Sequence, residues 1–174
     1  MNVRDAVQGG QTATDVTATT IVPPTYKWLW SARVRVKKSE LHRGSLVSIF
    51  LGSVPEDSRE WFDAPSYVGP FATYGVEEVL TEGFVHLNDA LSKNYSLRTF
   101  DPDDVTPYLK DHLDWRIQTI DRTPVPLENL PSLEVAVVAA LLAMPVGKAL
   151  PVQVGKAVLH RDITSGRLGG AHPE

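Results

Sequence analysis

The chain reads as a mainly β protein, an antiparallel β-sandwich or barrel with one or two short helices. Three observations predict this: a long alternating segment at 26–37, a short segment at 45–51 that is apolar on both faces, and Pro and Gly residues punctuating further alternating runs. With 174 residues and 43% apolar content, it suits one compact domain. The expected organisation is a disordered arm over 1–22, a β domain over 23–163 and a flexible Gly-rich tail over 164–174.

Taken in order, Tyr26, Trp28, Trp30, Ala32, Val34 and Val36 occupy one parity. Lys27, Ser31, Arg33, Arg35 and Lys37 occupy the other. That is a long strand with one wet face. In 45–51, Leu46 and Phe50 oppose Val47, Ile49 and Leu51, so an inner strand covered on both sides is expected. Gly52 and Pro55 end it, and Trp61-Phe62 follow a polar turn as a bulky pair that closes one end of a core. Val68–Tyr74 and Gly83–Asn88 are shorter candidate strands. Asp101-Pro102, with acids close behind, predicts a short helix: the Asp is a cap and the Pro stands at the first helical position. Leu113, Trp115, Ile117 and Thr119 then alternate with polar residues as a strand, and Asp121-Arg-Thr-Pro turns the chain. Leu133–Ala139 and Leu150–Leu159 complete the set, with Gly155 a candidate bulge.

Composition removes several functions. The net charge is −4 with no basic run, so the electrostatic footprint of nucleic-acid binding is missing. The longest apolar run, Val135–Met144, is too short to span a bilayer and ends at Pro145. No cysteine is present, which fits the cytoplasm, as does an N-terminus without a signal-peptide core. The Asn94-Tyr-Ser sequon would then stay bare. Gly166-Arg-Leu-Gly-Gly has no strand before it and helix after it, so it is no dinucleotide loop. Gly44-Ser45 opens a strand rather than a nucleophile elbow.

Tyr26-Lys-Trp, Glu40-Leu41, Gly44, Phe50-Leu-Gly, Trp61, Val68-Gly69, Pro107-Tyr-Leu, Leu113-Asp-Trp-Arg-Ile and Pro131-Ser-Leu-Glu-Val occur in this order. As a set they resemble the C-terminal domain of fungal tyrosinases over roughly residues 25–140. The resemblance implies a β-rich unit that packs over the dinuclear copper site of a neighbouring domain and keeps that enzyme latent. Here the matched segment is expected to stand alone, without the copper domain before it. The residues after Ala140 match no part of the pattern.

A coupled dinuclear copper site needs about six imidazoles. The chain has five histidines, His42, His86, His112, His160 and His172, with no HxxxH or HxH spacing. A tyrosinase reaction is therefore excluded by count, and no metal or cofactor is expected. Two readings remain. In the first, a cofactor-free protein of fungal secondary metabolism binds an apolar, phenol-bearing intermediate and guides its cyclisation by confinement, alone or beside an oxidative partner. Tyr26, Trp28, Trp30 and Trp115 would form the ligand wall, and His86, in phase with Phe84, would donate or accept a proton. An ordinary aromatic core is the competing account of the same four rings. In the second, the chain is a non-catalytic binding module that acts in trans as a shield, chaperone or scaffold for a copper oxidase or another enzyme. The partners implied are an apolar small molecule, or a biosynthetic enzyme in a hetero-oligomer. A closed apolar cavity would favour the first reading and an exposed apolar strip the second.

Overall fold

A computed structural model describes residues 23–41, 44–72, 78–93, 97, 99–145, 147 and 150–172. The expected arm over 1–22, His42, the Tyr74-Gly75 region and the Asn94 sequon lie outside the described residues.

The fold is mainly β, as predicted, and consists of two antiparallel four-stranded sheets. The strands are β1 (Thr25–Lys37), β2 (Leu46–Leu51), β3 (Tyr67–Ala72), β4 (Leu80–His86), β5 (Leu113–Gln118), β6 (Pro124–Val125), β7 (Glu134–Met144) and β8 (Val152–His160). Two helices, α1 (Asn88–Ser92) and α2 (Pro102–His112), sit between β4 and β5. Sheet A runs β4-β1-β7-β8 and sheet B runs β3-β2-β5-β6. Asp101 stands in the extended conformation ahead of Pro102, which opens α2 as the sequence predicted.

The core lies between the sheets. Trp30, Ala32, Val34 and Val36 of β1 and Val135, Val137 and Ala139 of β7 meet Val47 and Ile49 of β2 and Leu113, Trp115 and Ile117 of β5. The opposite parity of β1 faces outward, where Arg33 Nη2 stands 2.8 Å from Glu134 Oε1 and Arg35 Nε 3.4 Å from Glu82 Oε2. β2 is central in sheet B, with β3 and β5 on either side. Its second face is covered because Phe50 packs edge-on against Trp61 and Tyr67, at ring-centroid distances of 6.0 and 5.7 Å. Trp61-Phe62 therefore covers the outer face of sheet B rather than closing one end of the main core.

The expected flexible tail is instead folded. A 3-10 turn at Arg161–Ile163 leads into residues 164–172, which act as a strap between the sheets. Val135 N donates to Gly169 O at 2.8 Å, and Trp115 Nε1 donates to Leu168 O at 3.1 Å. Arg167 lies over the Trp115 ring, 4.2 Å from its centroid, and donates to Leu113 O. Asp114 and Arg116, on the face of β5 opposite Trp115, form an ion pair, and Arg167 joins it. Two of the glycines that looked like flexibility, Gly169 and Gly170, are contact positions. A Cβ on Gly169 would come within 2.7 Å of Leu133 Cδ2, and one on Gly170 would overlap the Thr164 carbonyl. The domain thus continues past residue 163.

Candidate functional site: an uncovered end of sheet A

β1 has 13 residues, whereas β2 and β5 have six each, about 43 Å against about 20 Å of strand. Sheet B therefore cannot cover all of sheet A. The registers show what is left open. Tyr26, Ala143 and Val152 form one cross-strand row, and Trp28, Leu141 and Val154 the next. Trp30, Ala139 and Val158 form the third, where the core begins. Between Val154 and Val158, β8 carries an irregularity of register with Gly155 at φ 71°, the bulge its sequence predicted. All nine positions are apolar. Tyr26 is 61% exposed, Val152 55%, Val154 42% and Val158 47%, while Trp28, Leu141 and Ala143 are half-buried. A contiguous apolar surface of this kind marks an interaction site more often than chance exposure does. β8 is also one of the two outer strands of sheet A.

The four predicted ligand-wall residues are not brought together as one surface. Tyr26 is on the open end, and Trp28 stands at its border, 6.4 Å from Trp30 between ring centroids. Trp30 is fully enclosed, and its indole donates to Phe100 O at 2.8 Å. Trp115 belongs to the other sheet and is likewise enclosed, under Arg167. His86 pairs with Ser31 in the register and lies 3.0 Å from its hydroxyl. Because Ser31 and Trp30 point to opposite sides of β1, His86 stands across the sheet from the aromatic wall.

Sequence reasoning missed His160. Its ring lies tilted against Trp30 at 5.2 Å between centroids, and its Nε2 is buried without a hydrogen-bond partner. Burial lowers its pKa below the ordinary 6.5, opposed by the Asp162 carboxylate. Asp162 is itself held by Lys110 at 2.8 Å. The only sequence signal was its place at the end of an apolar strand.

The described histidines do not form a copper site. His86 is on the outer face of sheet A, His112 ends α2, His160 lies against Trp30 and His172 is in the strap. Among the described residues, no three His, Cys, Asp or Glu side chains converge as metal ligands, and no helix is long and apolar enough to cross a membrane.

The tyrosinase C-terminal domain family matches residues 30–137. The chain belongs to that family. It is 26% identical over 162 aligned residues to the tyrosinase of Neurospora crassa, covering 83% of this chain but 24% of that protein. Its fold is similar to that of recombinant mushroom tyrosinase, with a TM-score of 0.64 and 24% identity over 81% of this chain and 26% of the other. A second mushroom tyrosinase structure, of coexisting latent and active forms, gives the same TM-score at 22% identity. This tyrosinase C-terminal domain thus spans about a quarter of the length of the relatives it matches.

Proposed function

We propose that the chain is a non-catalytic binding module that docks on a tyrosinase-type copper enzyme, with the Tyr26, Trp28 and Val154 face as its contact. The carrying observation is that face: rows of apolar side chains on rigid strands, open to solvent at the end of sheet A. Family membership supports the partner class, because the resemblance implies a domain that covers a copper site. An aromatic ring, a half-buried indole and β-branched neighbours supply apolar area at low entropic cost, the composition of an interface centre.

The confinement reading needs walls on several sides of a small molecule. Two of its four rings are engaged in the core and its acid–base residue lies across the sheet, so the remaining pair offers one wall rather than a chamber. Docking is therefore the reading favoured here. Affinity capture of the tagged chain from its native cells, with mass spectrometry of retained proteins and small molecules, tests it. The expected result is a copper oxidase with no stoichiometric metabolite. Retention of an apolar metabolite without an oxidase would overturn docking in favour of the biosynthetic reading.

A further inference from the structure

We infer that, when no partner is bound, the open end of sheet A is covered by a second copy of this chain. The inference goes beyond docking on an enzyme, although it uses the same face.

In the covered half of the molecule, sheet B supplies a second layer to sheet A. In the other half, β1, β7 and β8 run on without a second layer among the described residues. Stacked sheets pack about 10 Å apart with their apolar faces interdigitated. Two copies related by a twofold axis, each laying its extension on the other, would make each extension the missing layer of its partner. The contact is isologous, as most dimers are.

Charge and area support this occupant. None of the nine row positions, Tyr26, Trp28, Trp30, Ala139, Leu141, Ala143, Val152, Val154 and Val158, is ionisable as a carboxylate or a cation, so these rows oppose no like charges when paired with themselves; Lys156 lies in the bulge between Val154 and Val158. Its exposed and half-buried residues present roughly 500 Å² per copy, hence about 1,000 Å² for the pair, near the lower limit for a specific interface. The dimer is accordingly weak and concentration-dependent. Each copy carries a net charge of −4 borne elsewhere on the chain, so salt screens the repulsion between copies and strengthens association. Partner docking and self-association exclude one another, and the free face is protected in the interval.

Sedimentation equilibrium of the full chain through the micromolar range tests the proposal. The expected result is a monomer–dimer equilibrium that tightens with added salt. Val154→Glu, on the exposed edge strand, should raise the dimer dissociation constant at least about tenfold by placing a charge in an apolar contact. Tyr26→Glu provides the same test at a second position. Leu168→Glu, an exposed apolar residue in the strap, should leave the constant unchanged. A monomer at every concentration would overturn the inference. So would a dimer that ignores both Glu substitutions, or one that forms only after residues 1–22 are removed, which would assign the face to the chain's own first segment. Loss of the dimer with retained oxidase capture would sink this inference alone, whereas a persistent dimer without capture would sink the docking reading alone.

Discussion

At the Val34 end of β1, the inward side chains lie under sheet B and have no exposed surface; at the Tyr26 end, side chains of the same parity on the same strand face solvent. The covered end is a core, with Trp30 enclosed against His160 and capped by the Phe100 carbonyl. The open end has the same composition without the opposing layer. Apolar character alone does not therefore separate a structural surface from a functional one. The length of the strand across the sandwich does.

The largest expected effect is at the covered end. Trp30→Ala would leave a large cavity and should cost about 3–5 kcal/mol, measured by urea denaturation. If the loss stayed within surface-like limits, the division between the two ends would fail. Next comes the strap. Gly170→Ala should destabilise by about 1–3 kcal/mol, since its Cβ would overlap the Thr164 carbonyl and force a backbone shift. An unchanged melting temperature would mean that residues 164–172 are not held as described.

His160 gives a pH-dependent contrast between the ends. Its folded pKa lies below the unfolded 6.5, so the folded state binds fewer protons between those two values and stability rises with pH there. Its contribution is therefore complete above about pH 6.5 and is lost as pH falls toward the folded value. Nuclear magnetic resonance should show the His160 ring titrating below 6.5, and His160→Phe should reduce the acid-side loss of stability. Titration at or above 6.5 would contradict the buried Nε2. The smallest effect is at the open end, where Tyr26→Ala should change folding stability by no more than about 0.5 kcal/mol. The same substitution should still weaken partner capture if the proposed contact lies there, since Tyr26 is exposed and contributes little to the core.

Much of the fold was legible in the sequence. Alternation over 26–37, broken only by Leu29, predicted β1, the two-sided pattern of 45–51 predicted the central position of β2, and Asp101-Pro102 marked the start of α2. Residues 164–172 were misread because glycine frequency looks the same whether it reflects freedom or close approach. At Gly169 and Gly170 it reflects close approach, to Leu133 and Thr164. The site was half legible. Parity put Tyr26, Trp28 and Trp30 on one face, but only the lengths and registers of both sheets show that the cover ends near Trp30. His86 shares phase with Phe84, yet which side of sheet A it occupies depends on its pairing with Ser31, a partner 55 residues away. His160 carries little local signal beyond its place at the end of an apolar strand, because the ring it lies against belongs to another strand.

We propose that a copper enzyme contacts the open end of sheet A. The most direct measurement is quantitative affinity capture with the native chain, Val154→Glu, and His86→Ala on the opposite face, all confirmed as folded. Val154→Glu should lose the oxidase while His86→Ala retains it. Equal capture by Val154→Glu and the native chain, or loss on changing His86 alone, would contradict it.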